Sequence, residues 1–361
     1  MRILIAAENA SLQMSGEAAL ALYYFDRLRE RHLDVWMVCH NRVRDELRQR
    51  YDDETFNRIY FVKDTSLQSK LCVWTNEGPL KNYERIVGQI VRLITQINTR
   101  PIVQRLVKTL NIDLVFDPSI ISPKSLSCLY DLDVPVVIGP MCGGIEFPPN
   151  FRYLEPFSKR FSTQLGRWFS QITHRMFPGK LKAAALLVAN DRTARALPKG
   201  YQGKVHTVVE SGVDLTLWQP IARPPVSADR PVRFVYMARF VEQKGIPFLI
   251  RAFKTVAEQT DAVLELIGSG ELYDEIKAQV AEFNIQDQVN FYGWMQLKDA
   301  AALIRECDVY LVPAIGDCGG CAMLEAMAMG LPVIAANWAG REIMLTTPVA
   351  FVWMSPQQMN L

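Results

Sequence analysis

Short, nearly continuous apolar runs alternate along this chain with stretches whose apolar residues recur every three or four positions. RILIAA leads into a helical pattern over Ala18–Arg31, and VWMVCH follows it. DLVFD, VPVVIGP, ALLVAN and VHTVVE continue the series, and VRFVYMA, AVLELIGSG, VNFYG, VYLVPA and PVIAAN each lie beside a helical stretch. Strands that are apolar on both faces belong to parallel sheets covered by crossover helices. The pattern runs twice, and between the runs lies the proline-rich QPIARPPVSADRP, Gln219–Pro231, which reads as a linker. The expectation is an α/β chain of two Rossmann-like, doubly wound domains, 1–218 and 219–361, facing a cleft. Ligands of such sheets bind beyond the carboxyl ends of the strands.

Composition agrees. The 361 residues are 49% hydrophobic and 22% charged, enough for two cores, and they exclude disordered, collagen-like and disulfide-stapled classes. The longest apolar stretch, Ala183–Ala189, is far short of the roughly 20 residues that span a bilayer. The start, MRILIAAENASLQMSGEA, turns polar too soon for a secretory signal, so a cytoplasmic location is expected. Charge is uneven: from Ile221 onward 11 Lys+Arg face 16 Asp+Glu, against 29 and 22 before it. Two units with different partners fit this split. No face concentrates cations as a nucleic-acid binder does, so no nucleic-acid partner is expected.

The densest candidate chemistry is LVPAIGDCGGCAMLEAMAMGLPVIAANWAG, Leu311–Gly340. A buried strand is followed by a glycine-rich turn, a short helix over Met323–Met329, a stop at Gly330–Pro332 and another strand. Asp317 precedes the helix and Glu325 lies within it. Gly319, Gly320 and Cys321 are small enough to let an anion approach backbone N–H groups at the helix start. A plainer reading makes Asp317 an N-cap and Glu325 a solvated carboxylate. Cys318-Gly-Gly-Cys321 admits a redox pair, but zinc would need two further ligands that the sequence does not supply. The other five of the seven cysteines are dispersed and read as reduced thiols.

This segment resembles the Glu-x7-Glu region of retaining GT-B glycosyltransferases of family 4, the group 1 glycosyl transferases. YMARFVEQKGIPFLIRAF, with Arg239 and Lys244, resembles the family's GRLxxxKGxxxLIxAF segment. LELIGSGELYDEI, with Gly268 and Gly270, and VVESGVDLTLWQP resemble two more of its segments. The resemblance implies a GT-B fold and transfer of a hexose from a nucleotide-diphosphate sugar to a glycan or lipid-linked acceptor, with retention. Arg239 and Lys244 would neutralise the leaving diphosphate without a metal ion, Glu325 would accept from ribose hydroxyls, and Asp317 would hold sugar hydroxyls. Backbone near Gly319–Cys321 would touch the sugar and phosphate. Ser15-Gly16 falls at the family's glycine-rich loop, with Ser15 replacing one glycine. Asp317 is one methylene shorter than the family's Glu, and Phe116 stands where relatives often carry a cleft histidine. Asp131-Leu132-Asp133 imitates the metal motif of the other glycosyltransferase fold but precedes its strand, and is set aside. A sugar-nucleotide epimerase or hydrolase, and a catalytically weak scaffold subunit, are the alternatives to a transferase.

Two further expectations concern the ends of the domains. Phe151–Lys182 carries seven cations against Glu155 and interleaves seven aromatics, which implies contact with an anionic membrane on its cytoplasmic face. After VAFVWM the sequence stops at Leu361, where relatives continue into helices, so a shortened C-terminus with low activity is expected.

Overall fold

A computed structural model describes residues 1–14, 16–76, 84–119, 122–144, 151, 172–208, 212–220, 230–316 and 320–336. Contacts divide the chain into two units, one built from Met1–Gly144 with the residues leading to Val208, the other from Val209 onward together with Phe151. That boundary lies earlier than the expected 218/219. Trp218 is buried in the second unit's core with Leu217 and Val213 packed beside it, so the approach to the linker already belongs there. Phe151 also packs edge-on against Phe248, their ring centres 5.1 Å apart. Most of the linker itself, and the terminus after 336, lie outside the described residues.

The first unit is a seven-stranded parallel sheet of β1 (Arg2–Ala6), β2 (Asp34–His40), β3 (Ile59–Val62), β4 (Leu114–Asp117), β5 (Val136–Met141), β6 (Ala185–Val188) and β7 (Lys204–Thr207). Its spatial order is β3-β2-β1-β4-β5-β6-β7, so the direction of winding reverses between β1 and β4. Alternation along β1 fills two cores at once. Leu4 and Ala6 face one, while Ile3, Ile5 and Ala7 face the other. Phe116 is core as well, edge-on to Tyr24 at 4.9 Å, and so occupies no ligand position. Asp131 and Asp133 both adopt left-handed backbone in the turn before β5, and Lys182 pairs with Asp131 at 2.8 Å.

The second unit repeats the plan with β8 (Arg233–Met237), β9 (Val263–Ile267), β10 (Val289–Gly293), β11 (Val309–Val312) and β12 (Val333–Ala335), ordered β10-β9-β8-β11-β12. The reversal here falls between β8 and β11. Every strand pair in both sheets is parallel. Among the described residues, the one strand absent from the sequence reading is β3, a four-residue edge strand between helices. Among the described residues, no helix is long and apolar enough to cross a membrane.

A buried carboxylate pins three strands of the second sheet together. Glu265 of β9 is only 1% exposed. It accepts hydrogen bonds from Arg233 Nε of β8 at 2.9 Å, and from Asn290 Nδ2 and Tyr292 Oη of β10 at 3.0 Å each. Removing the carboxylate leaves Asn290 and Tyr292 without this acceptor and strips the inner edge of a partly buried guanidinium, whose outer edge keeps Glu306 at 3.0 Å. Glu265→Ala is expected to lower stability by about 3–5 kcal/mol, read from urea unfolding of the two proteins side by side. A loss below about 1 kcal/mol would show that the cluster is solvated rather than structural.

Candidate functional site

The carboxyl edge of the second sheet gathers most of the residues singled out from the sequence. β8 ends at Met237, and the loop beyond it carries Arg239, whose side chain is exposed, and Lys244, half-buried at the end of a single 3-10 turn, Glu242–Lys244. Gly245 then adopts φ 72° and caps the helix Ile246–Ala257, with Pro247 in its first turn. A side chain at Gly245 would strike the backbone carbonyl of Pro313, in the loop after β11. The backbone leaves that position to glycine on both counts.

β11 is followed by a matching device. Gly320 sits at φ 69° as the N-cap of the helix Cys321–Ala328, with no side chain capping it. The N-cap is therefore Gly320, and the plainer assignment of that role to Asp317 does not hold. Asp317, Cys318 and Gly319 lie outside the described residues, as does Ser15. Cys321 is exposed at the start of its helix. Two helices thus begin on neighbouring strands, at the point where the winding reverses, and their N-termini place partial positive charge there. The Gln243 carbonyl staples the two loops together, accepting from Ile315 N at 3.0 Å and Gly316 N at 2.9 Å.

Gly268 and Gly270, after β9, hold tightly packed positions. A Cβ at Gly268 would meet the Ala238 carbonyl, and one at Gly270 the Phe240 backbone. Phe240 N donates to Ser269 O at 3.0 Å, and Leu272 N donates to Phe240 O at 3.0 Å. These glycines therefore brace the segment on which Arg239 sits. In the first unit, Gly16 is the first residue of the helix Gly16–Glu30. The loop leading to that helix is held by Glu46, which accepts from Ser11 Oγ at 2.5 Å and from Leu12 N at 2.8 Å.

Glu325 lies one turn into the helix after β11, where burial pushes its carboxyl up to about 7 from an ordinary 4.5. Between those values the folded chain keeps a proton that the unfolded chain has released, so this group costs stability as pH rises from about 4.5 to 7. Glu325→Gln is expected to be more stable than wild type at pH 8 by about 1–3 kcal/mol, and no more stable at pH 4. Melting curves at the two pH values check this; an equal gain at both would mean that the carboxyl titrates normally.

Sequence reasoning missed a second set of polar residues, all in the first unit. Glu8, Arg92 and Asp117 meet at the β1/β4 reversal, and Lys180, 1% exposed, donates from Nζ to Ser122 O at 2.6 Å and Pro123 O at 2.9 Å. Lys180 is one of the seven cations for which the sequence implies a membrane-facing role in Phe151–Lys182. It is turned inward instead, and Lys182 is spent on Asp131. His174 is buried beside it, its ring pushed down to about 4 by desolvation and by the Lys180 charge. No pattern in the sequence marks these residues, because a buried lysine within a basic segment looks like any other.

Comparison with known proteins places the second unit in context. The amylovoran biosynthesis glycosyltransferase of Erwinia amylovora is 29% identical over 135 residues, 36% of this chain and 33% of the relative. The lipopolysaccharide core biosynthesis glycosyltransferase of Rhizobium meliloti is 32% identical over 119 residues, 33% of each chain. The matches span about a third of the length of such curated relatives. A crystal structure of Anabaena HepE in complex with UDP aligns with 99% of this chain and 87% of its own, with a TM-score of 0.60 at 15% identity. The two parallel-sheet units have the GT-B fold, and residues 220–346 match the family model of the glycosyl transferases group 1.

Proposed function

We propose that the protein is a glycosyltransferase that moves a hexose from a nucleotide-diphosphate sugar to a glycan or lipid-linked acceptor in polysaccharide or lipopolysaccharide assembly, with retention of configuration. The observation that carries this reading is the pair of glycine-capped helix N-termini at the β8/β11 reversal, with Arg239 and Lys244 on one of the two stapled loops. Such an arrangement suits a diphosphate, which gains charge as its bond to the sugar breaks. Arg239 supplies a planar fork and Lys244 a point charge, and together they do the neutralising that a divalent ion does elsewhere. Glu325, on the adjoining helix, accepts from the ribose hydroxyls. Asp317 holds the sugar, and the backbone around Gly319 to Cys321 approaches the sugar and phosphate. The UDP bound to the Anabaena neighbour and the biosynthetic roles in the relatives' names support the donor class and the pathway class.

A thermal-shift screen against UDP-, GDP- and ADP-sugars identifies the donor, since a ligand at a hundred times its dissociation constant stabilises by about 2.7 kcal/mol. With that donor, Arg239→Ala and Lys244→Ala are each expected to weaken nucleoside-diphosphate binding by about 1.5–3 kcal/mol. Unchanged affinity in both variants, or activity abolished by EDTA, would overturn this account of the diphosphate site. Product formed from the donor without any acceptor would favour an epimerase or hydrolase.

The described end of the basic segment keeps an outward face. Arg175 is exposed, with Ile172 at 39% and Met176 at 66% exposure beside it. We extend the proposal to an anionic membrane surface as the partner of this face. Co-sedimentation with anionic but not neutral vesicles, relieved by salt and weakened in Arg175→Glu, is the expected result. Protein left in the supernatant at low salt would remove the membrane from the reading.

A further inference from the structure

The first unit has its own winding reversal, between β1 and β4, and a small recess opens there. Ala7 and Glu8 beyond β1, Asp117 and Ser119 at the end of β4, Gln96 of the helix Glu84–Thr109, and Leu129 line it. Its free volume is about 20 Å³, room for one water or one hydroxyl.

The polar groups in this wall are held in fixed poses with one hydrogen-bonding edge left over. Asp117 is 4% exposed. Its Oδ1 accepts from Ser119 N at 3.1 Å and from Ser119 Oγ at 2.7 Å, while Oδ2 has no partner among the described residues. Gln96 Oε1 accepts from Cys128 N at 3.1 Å, which fixes the amide and leaves its two N–H donors without a described partner. Glu8 Oε2 pairs with Arg92 Nε at 2.8 Å, and Arg92 Nη2 donates to Ser119 O at 2.7 Å. Lys180 fixes the segment beyond Ser119 from behind through Ser122 O and Pro123 O. With Arg92 against Glu8 and the Lys180 charge acting on Asp117, the recess is poorly suited to a cation. Between the Asp117 Oδ2 acceptor and the Gln96 N–H donors, beside the apolar surface of Ala7 and Leu129, it is the complement of a hydroxyl carried on a ring with C–H faces.

We propose that this recess is a subsite for a single hydroxyl of a sugar ring, with Asp117 Oδ2 accepting from the hydroxyl and Gln96 Nε2 donating to its oxygen. The choice of a sugar rests on the glycosyltransferase reading; the hydroxyl is dictated by the recess itself. Burial pushes the Asp117 carboxyl up to about 6, so near neutral pH the carboxylate form that accepts predominates. The ring belongs either to the donor or to the acceptor, and the same chemistry serves both.

The test follows the Gln96 side-chain amide by NMR in protein labelled with 15N at glutamine. Methyl α-glucoside, methyl α-galactoside and methyl α-mannoside are titrated separately, with glycerol as the control polyol. At least one glycoside is expected to shift the Gln96 amide saturably, more strongly than glycerol does, and about tenfold more weakly in Asp117→Asn. Gln96→Leu, uniformly labelled with 15N and followed at the Ser119 backbone amide beside wild type labelled in the same way, is the second variant should Asp117→Asn fail to fold. No response to any of the three glycosides, a response equal to that of glycerol, or wild-type behaviour in the variants overturns the subsite. Competition by the nucleotide sugar but not by the nucleoside diphosphate assigns the ring to the donor; a shift that persists with nucleotide sugar bound assigns it to the acceptor. Glycoside binding here combined with a blank donor screen would sink the transferase reading alone, and the converse would sink the subsite alone.

Discussion

Two parallel strands cannot be joined by a tight turn, and most of this molecule follows from that constraint. Each strand must be reached by a crossover that lands the next one in the same direction, so all carboxyl ends of a sheet line up along one edge. The crossovers cover both faces, which is why Leu4 and Ile5, adjacent in sequence, are both completely buried in different cores. Where winding reverses, neighbouring loops part instead of crossing, and the backbone there is free to meet something other than protein. Both units place candidate site residues at that break. In the second, the loops are drawn back together by the Gln243 carbonyl; in the first, Arg92 bridges Glu8 and the Ser119 carbonyl.

The ionisable groups at these breaks are poor contributors to folding. Glu325 and Asp117 are both held where water is scarce, and burial raises each of them. Glu265 is more deeply buried than Glu325 yet fully partnered, by Arg233, Asn290 and Tyr292, and it lies within the sheet rather than at its carboxyl edge. The contrast separates two uses of a buried carboxylate. One locks strands together; the other is kept underbonded at an edge, a state that folding alone would not favour.

Much of this organisation is legible in the sequence, and the exceptions have physical causes. The strands buried on both faces announce themselves as apolar runs, whereas β3 has two of its four positions only half-buried at a sheet edge and carries too short a signal. The loops after β8 and β11 are legible because glycine and cation spacing there is constrained by backbone geometry. At Gly268 and Gly270 the same spacing also answers a packing need, the close approach of the Ala238 and Phe240 backbone. The recess of the first unit is illegible because Glu8, Gln96 and Asp117 come from separate elements, and none is unusual where it stands. Lys180 is hidden for the opposite reason, surrounded in sequence by cations whose ordinary role is to face water.

That lysine has a consequence for the chemistry of the native surface. Its amine is 1% exposed, carries two backbone carbonyls as acceptors, and is held by burial well below the usual range for an ammonium group. An amine of lowered proton affinity is intrinsically a better nucleophile than its neighbours, yet here the backbone of Ser122 and Pro123 covers it. Acylating reagents that modify exposed lysines within minutes will therefore pass over Lys180 until the loop lifts. The rate at which it becomes labelled is a clock for local opening of the first unit, one that needs no inserted probe.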